Sequence, residues 1–138
     1  SAIARPDDRT ICFAGDGCFM MTGQELATAV AQELDMIIIV ANNGMYGTIR
    51  MHQERHYPER VHGTGLVNPN FADLAKSYGA HGTRVTTNAE FETAFADALT
   101  RKGPVLIEAL MDPNALSPTA TMEEIRAQGL ANQAGASA

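Results

Sequence analysis

Continuous apolar runs mark the buried strands of this chain. Residues 36–40 read Met-Ile-Ile-Ile-Val without polar alternation, which is typical of a parallel strand covered on both faces. Residues 104–110 form a second run of this kind, and residues 10–14 form a short strand with few charges on either face. A further strand is predicted at residues 83–85.

Apolar residues at helical spacing predict helices between these strands. The first is expected at residues 23–33, with Thr22 as its N-cap and Glu25 completing a capping box. Asn70 and Asn88 are the expected caps of two later helices. The other helices are predicted at residues 46–53, 70–78, 88–103 and 122–128.

Strands that alternate with helices predict an α/β fold, with an open, mostly parallel sheet and helices on both faces. Residues 1–116 are assigned to this domain, and residues 117–138 to a tail that holds a short helix and a disordered end rich in Ala, Gly and Ser. Residues 54–68 are charged and rich in His, Gly and Pro without a period, so they are predicted to form a loop or a lid.

Composition narrows the class of protein. A net charge of -6 in 138 residues argues against a general nucleic-acid binder, because such proteins need a basic face. Cys12 and Cys18 form no CxxC pair, so they are interpreted as reduced thiols of a cytoplasmic protein. The longest apolar stretch is too short for a transmembrane helix, and no signal peptide is recognised.

Two polar motifs follow the first two predicted strands. Gly15-Asp16-Gly17 comes after the first strand, Asn42-Asn43 ends the second, and 24 residues lie between the motifs. In open α/β sheets, ligands bind beyond the carboxyl ends of the strands. An acidic side chain there would repel an anionic ligand unless a cation lay between them, and Mg²⁺ accepts carboxylate, amide and phosphate oxygens together.

The paired motif resembles the cofactor motif of thiamine diphosphate-dependent enzymes. The stretches at residues 42–47 and 104–108 are most similar to the branch of acetolactate synthase, benzoylformate decarboxylase and pyruvate decarboxylase. The resemblance implies a thiamine diphosphate-binding fold with Mg²⁺ held by Asp16, Asn43 and the carbonyl of Met45. It further implies that the cofactor-binding residues are Gly15, Asp16, Gly17, Cys18, Asn43, Met45 and Tyr46.

The resemblance also implies a larger parent enzyme. Relatives contain a pyrimidine-binding domain with an activating Glu, a middle domain and a diphosphate-binding domain, of which only the last is recognised here. The chain is therefore interpreted as an N-terminally truncated C-terminal fragment of a 2-keto acid decarboxylase or carboligase, with a homo-oligomer expected. No residue of the chain is a secure catalytic base, and the isolated fragment is expected to be inactive.

Other readings stay open beside this one. A dinucleotide oxidoreductase would need a GxGxxG motif after the first strand, which is absent. A regulatory or interaction domain that retains the fold is the non-enzymatic alternative. Cys18 is interpreted as an inert thiol in preference to a nucleophile, and Glu25 as a helix cap in preference to a catalytic group. His52, His56 and His62 are interpreted as a solvated face or lid in preference to a metal cluster.

Overall fold

The computed structural model describes residues 1–116 and 119–136 and divides into two compact units. The first, here called the sheet unit, contains Ser1–Asn42 and Asn68–Leu110. The second unit contains Asn43–Val67 and Met111–Ala138, of which residues 117, 118, 137 and 138 lie outside the described part. The assignment of residues 1–116 to one cofactor domain and of 117–138 to a tail stays a prediction.

A four-stranded parallel sheet forms the centre of the sheet unit. Its strands lie in the order β1-β2-β4-β3, and every neighbouring pair is parallel. The strand bounds are β1 Thr10–Gly15, β2 Met36–Asn42, β3 His81–Val85 and β4 Val105–Leu110. The four predicted strands and the mostly parallel sheet are therefore confirmed. Strands β1, β2 and β3 are one or two residues longer than predicted, and β4 begins one residue later than predicted.

The helices of the described residues alternate with these strands. Their bounds are α1 Asp16–Thr22, α2 Leu26–Ala31, α3 Gly47–His56, α4 Phe71–Ser77, α5 Asn88–Thr100 and α6 Met122–Ala136, with a 3₁₀ turn at Gly23–Glu25. No helix in the described ranges is long and apolar enough to cross a membrane.

Helices lie on both faces of the sheet, as predicted. Alternate residues of β2 point to opposite sides, since Ile38 and Val40 pack with α1, α2 and α4 whereas Ile37 and Ile39 pack against α5. Phe19 of α1 contacts Phe71 of α4 edge to face, with ring centroids 5.5 Å apart. Two apolar layers thus fix the strand ends from which the polar motifs project.

The predicted first helix is wrong in its bounds and in its cap. Residues 16–22 are already helical, so Thr22 ends α1 and makes no side-chain capping hydrogen bond. Glu25 instead accepts a hydrogen bond from Thr28 Oγ1 at 3.3 Å. The first helix was predicted to begin only at residue 23, so the helix that begins directly at Asp16 was missed.

Of the two later predicted helix caps, Asn70 is confirmed and Asn88 is wrong by one residue. Asn70 caps α4, because its Oδ1 accepts a hydrogen bond from the Asp73 amide at 3.1 Å. The cap of α5 is Thr87 rather than Asn88, and it forms a full capping box with Glu90. Thr and Asn both favour the capping position, and the prediction chose the wrong one of these two neighbours.

The second unit contains α3, α6 and the loops around them. Its C-terminal helix is longer than the predicted residues 122–128, and residues 129–136 are helical where a disordered end was expected. Gly129 explains part of the difference, because a Cβ there would lie 2.5 Å from the carbonyl oxygen of Glu54, so the helix packs closely on α3. The remainder of the expected disordered end, residues 137 and 138, lies outside the described residues.

Candidate functional site

Asp16 stands where β1 passes into α1. Gly15 is the last residue of the strand, and Asp16 is the first of the helix, with only 3% of its surface exposed. Its Oδ1 accepts a hydrogen bond from the Gly17 amide at 2.8 Å, and its Oδ2 accepts one from Asn68 Nδ2 at 2.7 Å. The fold therefore holds a carboxylate at the carboxyl end of the first strand, as the sequence predicted.

Asn42 ends the neighbouring strand and is also buried. Its Oδ1 accepts a hydrogen bond from Asn68 Nδ2 at 2.9 Å, while its own Nδ2 donates to Glu108 Oε1 at 2.7 Å. One side chain, Asn68, thus joins the polar groups at the ends of β1 and β2.

Glu108 anchors the far end of this chain of hydrogen bonds. It is fully buried within β4, and its Oε2 accepts a hydrogen bond from the Ala72 amide at 3.4 Å and lies 3.5 Å from Arg84 Nε. We call Asp16, Asn68, Asn42 and Glu108 the edge network. It crosses the sheet in strand order, from β1 through β2 to β4, and ends beside Arg84 of β3.

The second asparagine of the motif belongs to the second unit. Asn43 Oδ1 accepts a hydrogen bond from the Met45 amide at 3.1 Å, which closes a tight turn over Gly44 at φ +69°. Met45 forms an antiparallel bridge with Gly65, made by Gly44 O with the Leu66 amide and by the Tyr46 amide with Thr64 O. Neither of these bonds uses the carbonyl oxygen of Met45.

The remaining predicted cofactor residues differ in their exposure to solvent. Gly17 is buried and its amide is engaged with Asp16, whereas Cys18 is exposed with a free thiol. A Cβ on Gly15 would meet nothing within 4 Å, so packing within the described chain does not require glycine there. Tyr46 precedes α3 and its side chain is 40% exposed.

The histidines and cysteines form no second candidate site within the described residues. The rings of His52 and His56 stack on the exposed side of α3, with centroids 6.2 Å apart. No group of three His, Cys, Asp or Glu residues suited to a metal occurs among the described residues. Cys12 and Cys18 are both free. Gln53 holds the following loop, since its Nε2 donates to His62 O at 2.7 Å.

A buried ion cluster in the second unit was missed by the sequence interpretation. Glu54 is fully buried and accepts hydrogen bonds from Arg50 Nη2 at 2.7 Å, Arg126 Nε at 2.9 Å and the Glu59 amide at 3.0 Å. Hydrogen bonding from Arg126, with smaller contributions from the Glu59 amide and Arg50, lowers the pKa of Glu54 to about 2 against the opposing effect of burial. This cluster joins α3 to α6.

Asn68 and Glu108 were also not identified as site residues from the sequence. A lone Glu within the apolar run of β4 is the available signal for Glu108, because a buried charge requires partners. Asn68 gives no such signal, because it lies in a segment without periodicity and 52 residues from Asp16.

A family model and individual sequence relatives assign this chain to the same family. The family of thiamine pyrophosphate enzymes, C-terminal TPP-binding domain, matches residues 1–109. The Escherichia coli acetolactate synthase isozyme 2 large subunit is 37% identical over 111 residues, covering 80% of this chain and 20% of that protein. The acetolactate synthase large subunit of Cyanidium caldarium is also 37% identical, covering 79% of this chain and 19% of that protein.

Solved structures agree with the sequence relatives. A benzoylformate decarboxylase from Polynucleobacter necessarius superposes with a TM-score of 0.76 at 28% identity, covering 84% of this chain and 22% of that one. The thiamine diphosphate-dependent 4-hydroxybenzoylformate decarboxylase of Rhodococcus jostii RHA1 has the same TM-score, 0.76, at 33% identity, covering 80% of this chain and 21% of that one. The chain spans about a fifth of the length of these relatives. The predicted resemblance is confirmed: the chain belongs to the C-terminal cofactor-binding domains of thiamine pyrophosphate enzymes.

Proposed function

We propose that this chain provides the Mg²⁺ and diphosphate site of a thiamine diphosphate-dependent 2-keto acid decarboxylase or carboligase, similar to acetolactate synthase. The observation that carries the proposal is the buried, hydrogen-bonded carboxylate of Asp16 at the carboxyl end of β1. Ligands of open α/β sheets bind beyond this end of the strands. The family match over residues 1–109 supports the same assignment.

The metal ligands in this proposal are the side chains of Asp16 and Asn43 and the carbonyl oxygen of Met45. Carboxylate, amide and carbonyl oxygens are the donors that Mg²⁺ accepts, with phosphate and water completing its shell. Asp16 fits this role, because ligating carboxylates are usually hydrogen-bonded by neighbouring groups and Asp16 accepts bonds at both oxygens. The two hydrogen bonds of the bridge at Met45 do not use the carbonyl oxygen of Met45, which is compatible with its proposed role as the third metal ligand.

The diphosphate contacts are assigned to backbone groups at Gly15, Gly17 and Cys18. Glycine at position 15 permits close approach, and nothing in the described chain otherwise requires it. The Gly17 amide bonds Asp16 in the structure, so its donation to a phosphate oxygen would require an exchange of acceptor. Cys18 contributes through its amide, and its exposed thiol has no assigned role.

The cofactor, when bound, would supply the electron sink for cleavage next to a 2-keto group, and the protein would supply orientation and electrostatics. Tyr46 is assigned to the wall of the cofactor and substrate pocket. No residue of this chain is proposed as a general base. The activating Glu is expected in a separate pyrimidine-binding domain, as the family resemblance implies.

The proposal also includes further domains of a larger parent protein. Pyrimidine-binding and middle domains, a small 2-keto acid substrate, a homo-oligomeric state and a cytoplasmic location are all proposed, with no nucleic-acid or membrane partner. Two free cysteines support a reducing compartment. We expect these 138 residues alone to show no turnover, and decarboxylation by the isolated chain would contradict that expectation.

The second candidate is a regulatory or interaction domain that keeps the fold without the cofactor. The engagement of the Gly17 amide by Asp16 favours this alternative, because that amide then serves the fold itself. The two functions differ in one measurable property, since only the first requires thiamine diphosphate to bind in a Mg²⁺-dependent manner.

Calorimetry on the complete protein that carries this sequence tests the proposal. Thiamine diphosphate should bind with Mg²⁺ present and should lose most of its affinity when the metal is chelated. A screen of 2-keto acids for released CO₂ and for carboligation products would then separate decarboxylase from carboligase. Absence of binding under both conditions would favour the regulatory domain.

A further inference from the structure

The edge network contains a side chain with no assigned role. Asn68 lies just before α4 and is partly buried. Its Nδ2 donates to two acceptors, Asp16 Oδ2 at 2.7 Å and Asn42 Oδ1 at 2.9 Å. An amide nitrogen carries two hydrogens, so both bonds are made by the same group.

The direction of these bonds follows from Glu108. Glu108 lies beside Arg84, and both of its carboxyl oxygens accept hydrogen bonds, Oε1 from Asn42 and Oε2 from the Ala72 amide. The amide nitrogen of Asn42 must therefore face Glu108, which turns its carbonyl oxygen toward Asn68. That oxygen accepts from the nitrogen of Asn68, and the same nitrogen reaches Asp16. The buried carboxylate thus sets the polarity of the whole network.

The same bonds fix the plane of the Asp16 carboxylate. Rotation about the terminal torsion of an aspartate is broad when nothing holds it. Here the Gly17 amide holds Oδ1 and Asn68 holds Oδ2, so the two oxygens are distinguished and the plane is defined. Loss of Asn68 would release the Oδ2 bond.

We propose that Asn68 is a positioning residue that orients the Asp16 carboxylate for a divalent cation, with Asn42 and Glu108 fixing the direction of its amide. This inference rests on the proposed function, in which Asp16 is a metal ligand. It concerns the hydrogen-bonded neighbours of the ligand, whose loss typically lowers metal affinity about 10- to 100-fold.

Orientation matters differently for different metals. Mg²⁺ requires nearly ideal octahedral geometry, whereas Ca²⁺ accepts flexible arrangements of six to eight oxygens. An Asp16 carboxylate that has lost the Oδ2 hydrogen bond is held less firmly, so Mg²⁺ binding should weaken more than Ca²⁺ binding. A general loss of stability would weaken both ions alike, so the ratio of the two affinities separates positioning from a structural role.

The test measures Mg²⁺ and Ca²⁺ affinities by calorimetry at fixed thiamine diphosphate, in the complete protein and in Asn68→Ala. We expect Mg²⁺ affinity to fall about 10-fold or more and Ca²⁺ affinity to fall by less than about threefold. Asn70→Ala is the matched control, since Asn70 lies two residues away and caps α4 through the Asp73 amide. It should lower the melting temperature and leave the ratio of metal affinities unchanged.

Two results would overturn the inference while leaving the proposed function intact. They are an unchanged Mg²⁺ affinity in Asn68→Ala and equal losses for both ions. If Asn68→Ala does not fold, Asn68→Ser is measured instead, with the same expectations and the same contradicting results. Failure of the unaltered protein to bind thiamine diphosphate with either metal would overturn the proposed function, and this inference with it.

Discussion

Arg126 on α6 binds Glu54 on α3 through two charge-assisted hydrogen bonds, from Nε to Oε2 at 2.9 Å and from Nη2 to Oε1 at 2.8 Å. Glu54 is fully buried, so its charge depends on these partners and on Arg50. Removing one partner of a buried pair leaves an incompletely compensated charge, which is strongly destabilising. The C-terminal helix should therefore depend on this contact.

Arg126→Met is expected to loosen α6, because the aliphatic side chain keeps volume while removing the charge. We expect a loss of about 2 kcal/mol in local stability, which corresponds to amide hydrogen exchange about 30-fold faster in α6. Hydrogen exchange read by mass spectrometry measures this change in the complete protein. Arg55→Met, at an exposed position of α3, is the control and should change exchange less than about twofold. Equal effects of the two variants would contradict the role of Arg126.

The same contact should lose strength in acid. The pKa of Glu54 is lowered from 4.5 to about 2, chiefly by the Arg126 hydrogen bond, so its stabilisation is present above about pH 4.5 and is lost as pH falls toward 2. Exchange in α6 should rise across that window after correction for the intrinsic pH dependence of exchange.

Glu54→Gln isolates this contribution, since Gln does not titrate. The variant should be less stable at pH 7 and should show a shallower loss between pH 4.5 and pH 2. Other carboxylates with lowered pKa values, such as Asp35, Glu90 and Glu124, remain in both proteins and cancel in the comparison. Parallel curves for the two proteins would mean that Glu54 is not the titrating group.

Gly129 provides a steric test of the same helix packing. A Cβ at this position would lie 2.5 Å from Glu54 O and 2.9 Å from Arg55 O, so Gly129→Ala should force α6 away from α3 and destabilise it by about 1–3 kcal/mol. At Gly135 a Cβ would meet nothing within 4 Å, and Gly135→Ala should instead stabilise the helix by up to about 1 kcal/mol. Hydrogen exchange in α6 distinguishes the opposite signs, and stabilisation by both variants would refute the close packing.

The edge strand β1 has an uncovered apolar face. Ile11 and Phe13 are 49% and 74% exposed and lie on the side of the sheet where α5 packs against the other strands. We expect the 138-residue chain to self-associate through this face in sedimentation experiments. Phe13→Lys should reduce association, whereas Val67→Lys, at a fully exposed loop position, should not; a monomer at high concentration would contradict the expectation.

The sheet was predictable from sequence because its strands are marked by local apolar runs. Parallel strands covered on both faces must be almost wholly apolar, and β2 and β4 satisfy this requirement in their own residues. The first helix was not predictable in the same way. Its first turn contains the glycine-flanked Asp16, and glycine favours an interpretation as a loop.

The partners of the polar side chains were not predictable, because they are distant in sequence. Asn42 and Glu108 are 66 residues apart, and Glu54 and Arg126 are 72 residues apart. The charged stretch around Glu54 was interpreted as a solvated loop or lid, although Glu54 is buried. Asp16 was identified because its motif is local, whereas Asn68 became recognisable only once the fold had brought it to Asp16.

The role of Asp16 is tested most directly by Mg²⁺-dependent binding of thiamine diphosphate to Asp16→Asn, which preserves the shape of the side chain while removing its charge. Calorimetry on the complete protein should show that binding is lost in this variant and retained in Asp73→Asn, whose carboxylate is exposed on α4. Undiminished Mg²⁺-dependent binding by Asp16→Asn would contradict the assignment of Asp16 as a metal ligand.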